Sequence, residues 1–159
     1  MSYEKHLNGD IRTGRHCVFN MHVHLVFVTK YRRKVLNEEH IATLKSIFEG
    51  VCERFEAILE ECNGEEDHIH LLINYPPKGA VSRLVNSLKT VSSRMLRQKY
   101  AEIQNAYFKN MLWTPSYFSS SCGGAPLSII KEYVQSQRVV NTRVPYIPAL
   151  TNGVLRHDG

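Results

Sequence analysis

The sequence predicts an α+β fold: a ferredoxin-like, split β-α-β antiparallel sheet, RRM-like in its order, with helices on one face and a further helix near the C-terminal end. Three observations carry this. The apolar period switches between two and 3.6 residues in the order strand, helix, strand, strand, helix, strand. The stretch Asp67-His68-Ile69-His70-Leu71-Leu72-Ile73-Asn74 reads as the third strand of that order, with Ile69, Leu71 and Ile73 on one face and His68, His70, Leu72 and Asn74 on the other. A last helical stretch follows a Gly-Gly joint. In such a sheet the first and third strands lie side by side at the centre.

The whole chain sets matching bounds. At 159 residues it is long enough for one domain with a real core. The composition, 43% hydrophobic and 22% charged, argues against disorder over most of the length. A net charge of +5 suits a polyanion such as nucleic acid, and equally a protein that is merely basic. Cys17, Cys52, Cys62 and Cys122 are scattered without a CxxC, which argues against a zinc site or a disulfide framework. Free thiols in a reducing compartment are the simplest account, so a cytoplasmic location is expected. The polar stretch Met1–Gly14 is no signal peptide, and no apolar run is long enough to span a membrane.

Taken in order, residues 1–16 read as a flexible polar arm. Cys17–Thr29 is the first strand. It ends in Lys30-Tyr31-Arg32-Arg33-Lys34, a basic cluster with an embedded aromatic that suits phosphate contact with base stacking. A solvated strand end explains the cluster as well. Asn37 caps a helix with Glu38 and Glu39 in its first turn, and Ile41, Leu44, Ile47, Phe48, Val51 and Phe55 form its core stripe. Glu56–Cys62 reads as the second strand, and Asn63-Gly64 as a hairpin turn into the third. Tyr75-Pro76-Pro77-Lys78-Gly79 breaks the chain. A second long helix follows, with Val81, Leu84, Val85, Leu88, Val91, Met95 and Leu96 on its apolar side. Arg83, Asn86, Lys89, Ser93, Arg94 and Arg97 lie on the other side, with no acidic residue between Val81 and Tyr100. A one-signed wet face is a candidate surface for phosphates. After a loop, Met111–Ser120 is the fourth strand, with Pro115 marking an edge or a bend. Ser121-Cys122-Gly123-Gly124 is a joint, Pro126 fits the first position of a third helix, and that helix runs from Leu127 to about Gln137. Arg138–Gly159 shows no periodicity and reads as an extended tail. The expected division is therefore an arm at 1–16, a domain at 17–138 and a tail at 139–159.

Two groups of residues point to chemistry. His68 and His70 present two imidazoles on one face of a strand, a chelate for a divalent metal once further ligands arrive; two half-buried structural histidines are the commoner outcome. In the last helix Leu127, Ile130 and Val134 form an apolar stripe, and Tyr133 and Gln137, four apart, share one side at its edge. A tyrosine flanking a packing face is the ordinary reading. The functional one makes Tyr133 a nucleophile and Gln137 a third metal ligand. With a reference pKa of about 10, a tyrosine hydroxyl attacks only when aligned or activated. A metal on a scissile phosphate withdraws charge and orients it for in-line attack.

The series Val26-Phe27-Val28-Thr29-Lys30-Tyr31-Arg32-Arg33, Asp67-His68-Ile69-His70-Leu71-Leu72-Ile73, Trp113-Thr114-Pro115-Ser116-Tyr117-Phe118 and Gly123-Gly124-Ala125-Pro126-Leu127, with Tyr133 and Gln137, resembles the single-tyrosine HUH transposases of the smallest bacterial and archaeal insertion sequences, including the REP-associated tyrosine transposases. The match covers roughly residues 18–138, in order. The resemblance implies a homodimer that cuts and rejoins single-stranded DNA at element ends, recognising hairpins through a 5′-phosphotyrosine intermediate and using Mg²⁺ or Mn²⁺. It assigns His68 and His70 to the HUH pair, Tyr133 to the nucleophile, Gln137 to the third ligand, and Gly123-Gly124 to a hinge that lets the helix serve the partner's histidines in trans. Lys30, Tyr31, Arg32, Arg33, Arg83, Lys89, Arg94 and Arg97 are the expected DNA contacts. His22-Val23-His24 also spells His-hydrophobic-His, but the family places its pair before the Pro-containing loop, which selects His68 and His70. A different class, a non-catalytic ferredoxin-like module binding single-stranded DNA or RNA, would use the basic helix without the histidines or Tyr133. Such modules carry stacking aromatics on the central strands, where this chain has histidines. A metal-storage protein would need cysteine or carboxylate clusters.

Overall fold

Period-two alternation creates one apolar face per strand, and that face decides where the helices go. The structure, a computed structural model, describes residues 3–5, 11–121, 127–137 and 154–156. Its elements are β1 (Glu4–Lys5), β2 (Arg12–Thr13), β3 (Val18–Phe19), β4 (His22–Val28), α1 (Glu38–Arg54), β5 (Ile58–Glu65), β6 (His68–Asn74), α2 (Val81–Lys99), α3 (Ala101–Ala106), β7 (Ser116–Ser120), α4 (Leu127–Ser136) and β8 (Val154–Arg156). The main sheet has the order β5-β6-β4-β7-β8, antiparallel throughout. Its first four members reproduce the expected ferredoxin-like order, with β4 and β6 adjacent at the centre.

Val23, Leu25 and Phe27 of β4 and Ile69, Leu71 and Ile73 of β6 are buried together with Leu44, Phe48 and Val51 of α1 and Leu84, Val85, Leu88 and Leu96 of α2. Both long helices therefore cover one face of the sheet. Helix α1 starts as expected: Asn37 Oδ1 accepts from His40 N at 2.8 Å, and His40 Nδ1 accepts in return from Asn37 N at 3.1 Å. The histidine takes the place that Glu or Gln fills in the usual capping box.

Several boundaries differ from the sequence reading. The first strand breaks after Phe19, because Val18–Phe19 pairs with β2 while His22–Val28 pairs with β6 and β7. Glu56 does not begin the second strand. It takes φ 56° and closes α1, where Ala57 N returns to Cys52 O at 2.9 Å. Asn63-Gly64 is not the turn but lies within the ladder, opposite His70 and Ile69; Glu66-Asp67 makes the reversal. Residues 101–106, read as loop, form α3. Of the expected fourth strand only Ser116–Ser120 is regular, since Pro115 bends the chain after Trp113 has bridged to Thr29.

Part of the expected arm is built into a small sheet, β1-β2-β3. Arg12 anchors it: its guanidinium donates to Asn74 Oδ1 at 3.0 Å and Glu56 O at 2.7 Å, and lies 5.2 Å from the centres of the Tyr3 and Phe19 rings. In the tail, β8 pairs with β7. The expected hinge Gly123-Gly124, Pro126 and most of the tail lie outside the described residues.

Gly64 fixes the spacing of the β5–β6 hairpin. A Cβ there would stand 2.6 Å from His68 O and 3.1 Å from Ile69 Cα, both backbone atoms of the histidine strand. Gly64→Ala is expected to destabilise the protein by about 1–3 kcal/mol through this overpacking, read as a lowered urea midpoint with an unchanged m-value.

Candidate active site

The face of the sheet away from α1 and α2 carries the histidines. Register pairs Val28 with His68, Val26 with His70 and His24 with Leu72, so all of these side chains share that face. The His68 and His70 rings stack at 6.5 Å between centres, 26° apart in plane. His24 adds a third ring, 5.8 Å from that of His70. The first-strand pair thus does border the metal-candidate strand: His24 lies beside His70, while His22 is paired with Asn74 at the far end.

His68 is oriented from behind. Asp67 follows directly from the hairpin turn, and its Oδ1 lies 2.9 Å from His68 Nδ1. A carboxylate only accepts, so Nδ1 donates the proton and Nε2 is the ring nitrogen left over for a metal. The second oxygen, Asp67 Oδ2, accepts from Arg32 Nε at 3.2 Å. Burial pushes the Asp67 carboxyl up, but its hydrogen bond and charge interaction with His68, together with Arg32, outweigh that and hold it below the ordinary value. Burial first, then the neighbouring His24 and His68, lowers the His70 pKa; burial likewise lowers that of His24, against the pull of Glu61. Both rings therefore favour the neutral form that a metal needs.

The donors fit a divalent cation. His70 Nδ1 is buried without a hydrogen-bond partner among the described residues. Across the hairpin Glu65 is paired with His68, and donor atoms of Glu65, Asp67 and His68 lie within 4.8 Å of one another. Sequence reasoning missed Asp67 and Glu65, although Asp67 precedes the pair directly and Glu65 follows from the two-residue turn.

Helix α4 seats on the same face over β7. Tyr133 and Gln137 are buried, at 0% and 2% exposure. The Tyr133 ring lies 5.7 Å from that of Phe118, which is paired with Val26. One hydroxyl joins the two expected site residues of this helix: Ser116 Oγ is 3.1 Å from Tyr133 Oη and donates to Gln137 Oε1 at 3.1 Å. Because the serine proton goes to the amide, the phenol must donate to Ser116. Continuing the β4–β7 register places Ser116 in the row of Val28 and His68, two strand spacings (roughly 10 Å) from the histidine strand. The structure therefore puts His68 and His70 on one strand, and Tyr133 and Gln137 together at the end of α4, over the next strand but one.

The expected DNA contacts divide. Lys30, Lys89, Arg94 and Arg97 line one groove between α2 and residues 110–115, with Asn86 and Trp113. Arg83 lies elsewhere, in a cleft with Arg54 and Tyr75 at the start of α2. Tyr31 is exposed, with Lys30 and Arg33 charges 5.3 and 5.2 Å from its ring centre. Arg33 also donates to Ala106 O and stands 5.2 Å from the Tyr107 ring centre. Arg97 donates to Asn110 Oδ1 at 3.0 Å. Lys89 turns inward: its ammonium donates to Thr114 O at 2.7 Å and reaches Pro115 O and Ser116 O at 3.3 and 3.4 Å.

A ferredoxin-like sheet with an oriented histidine pair on one face and a basic groove beside a helix of the other defines a protein built to act on DNA. A profile of the family described as "Transposase IS200 like" matches residues 17–137. The chain belongs to this family of transposases, enzymes that cut DNA and transfer strands. It is 31% identical to the transposase for insertion sequence element IS200 of Salmonella typhimurium LT2 over 129 residues, covering 81% of this chain and 84% of the relative. A crystallised candidate transposase of Deinococcus radiodurans R1 superposes with a TM-score of 0.73 at 26% identity, over 80% of this chain and 98% of that one. The REP-associated tyrosine transposase bound to a REP hairpin shares the fold, with a TM-score of 0.50 at 13% identity over 79% and 68% of the two chains. Among the described residues no helix is long and apolar enough to cross a membrane.

Burial, and secondarily Lys30, pushes the Lys89 ammonium down to about 8. The unfolded lysine titrates at about 10.4, so between these values the unfolded chain binds the proton more tightly and stability rises with pH. The stability difference between the unsubstituted protein and Lys89→Met is expected to grow in favour of the unsubstituted protein from about pH 8 to about pH 10. Urea unfolding of both proteins across that range measures it.

Proposed function

We propose that this transposase cleaves and rejoins single-stranded DNA through a covalent 5′-phosphotyrosine at Tyr133, with Mg²⁺ or Mn²⁺ held by His68, His70 and Gln137. The observation that carries the reading is the pairing of Tyr133 and Gln137 through Ser116 on the histidine face. In the reaction Tyr133 Oη attacks the phosphorus in line. The bond from phosphorus to the 3′ oxygen breaks, the phenol proton is released, and a 3′-hydroxyl leaves protonated. The 5′ phosphate stays on Tyr133 as an ester, so a new 3′-hydroxyl reverses the step and joins strands without ATP.

The protein's own groups supply alignment. Ser116 takes the phenol proton's hydrogen bond and fixes where the nucleophilic oxygen sits. Asp67 keeps His68 Nε2 free to ligate, and burial keeps His70 neutral. A divalent ion bound to these residues would neutralise the phosphate and orient it for attack. The two-strand interval between β6 and β7 is the place for the phosphate. Hairpin DNA is the proposed substrate, supported by the hairpin carried by the REP-associated relative; Lys30, Arg94 and Arg97 in the groove and the exposed Tyr31 and Arg83 are its proposed contacts. The proposed working unit is a homodimer, and the seating of α4 over β7 of its own chain supports Tyr133 serving the His68 and His70 of that same chain.

Tyr133→Phe is expected to bind hairpin DNA normally yet form no SDS-resistant adduct in Mg²⁺. His68→Ala and His70→Ala should each abolish cleavage, Gln137→Ala should reduce it less, and His22→Ala should leave it intact. An undiminished adduct in Tyr133→Phe would eliminate this nucleophile.

Mixing inactive Tyr133→Phe with inactive His68→Ala under subunit exchange tests the dimer. With each site built within one chain, exchange is expected to restore no adduct. Label on the His68→Ala subunit only, since that chain keeps its tyrosine, would instead make Tyr133 serve the partner's histidines and overturn the single-chain site.

A further inference from the structure

We propose that Arg32 is a positioning residue that docks the tyrosine helix onto the histidine strand, rather than a phosphate contact. The inference rests on the reading of Tyr133 and His68 given above.

Arg32 stands where it can reach both sides. It follows β4, the strand that separates the histidine strand β6 from β7, on which α4 sits. Its Nε donates to Asp67 Oδ2 at 3.2 Å, and Asp67 in turn holds His68 Nδ1 at 2.9 Å. Its Nη1 donates to Gln135 O at 3.2 Å. Gln135 lies between Tyr133 and Gln137. Its carbonyl is among the last four of α4, which have no partner within the helix and carry the negative end of its dipole. One guanidinium thus joins the residue that orients a candidate metal ligand to the backbone of the helix that bears the nucleophile.

The backbone is bent to allow it. Tyr31 and Arg32 have φ 60° and 53°, two successive non-glycine residues in the left-handed region. Such residues persist only where the surroundings hold them. Here Arg32 N donates to Thr29 O at 2.8 Å, and the Thr29 hydroxyl lies 2.7 Å from Arg33 O and 3.1 Å from Asp67 O. The turn aims the Arg32 side chain at Asp67 and α4. A fork with two donors on separate acceptors is a geometry that lysine, a point charge, does not reproduce.

The experiment compares Arg32→Ala, Arg32→Lys and Asp67→Asn with the unsubstituted protein. Hairpin DNA affinity is read by fluorescence anisotropy, adduct formation in Mg²⁺ under single turnover at saturating DNA, and amide exchange over residues 127–137 in the free protein. The expected result is DNA affinity within about twofold of the unsubstituted protein, an adduct rate about 10–100-fold lower, and faster exchange in α4. Lysine should not rescue, and Arg32→Ala with Asp67→Asn should be no slower than the worse single variant. Weakened DNA binding with the full adduct rate restored at saturation, and rescue by lysine, would make Arg32 a phosphate contact and overturn the proposal. Unchanged rate and exchange in Arg32→Lys would overturn it too, even if Arg32→Ala misfolds. An adduct that forms without Tyr133 would instead sink the functional reading, and the docking role with it.

Discussion

Everything in this molecule hangs on the antiparallel pairing of β4 with β6. Seven residue pairs run from His22–Asn74 to Val28–His68. The register buries Val23, Leu25, Phe27, Ile69, Leu71 and Ile73 under two helices and leaves the imidazoles on the opposite face. A slip of one residue would exchange the faces, burying the histidines among aliphatics and exposing the core. The same register puts His24 beside His70 and, through β7, sets Ser116 in the row of His68. Core, histidine pair and tyrosine seat are consequences of one alignment.

The pattern of elements was legible because strands and helices here obey their periods. The alternation at 69, 71 and 73, the cap at Asn37 and the helical spacing from Leu84 to Leu96 each name one structure only. Local misreadings arose where a residue serves a distant partner. Asn63-Gly64 has the look of a turn, but Gly64 is small because His68 O passes close by. Glu56 has a strand's neighbours, but its backbone closes a helix. No local signal marks Arg12, a charged residue in a polar stretch, as a buried anchor.

The candidate site was legible as residue types and not as connections. His68, His70, Tyr133 and Gln137 stand out by spacing. Ser116, Asp67 and Arg32 do not, since their importance lies in whom they touch. Lys89 and Arg97 show the converse: helical spacing counts them on the wet face with Arg94, yet one caps a bend of carbonyls and the other is tied to Asn110. A side chain of four or five bonds chooses its neighbours after the fold has formed.

The outermost strand β5 turns Glu61, Asn63 and Glu65 toward the histidine face, all three exposed. Carboxylates along an open edge repel another strand and discourage sheet-to-sheet aggregation. They also repel phosphates. With Lys30, Arg33, Arg94 and Arg97 on the far side, the molecule is electrically lopsided. A polyanion diffusing toward it is turned before it touches, and meets the basic flank ahead of the acidic edge.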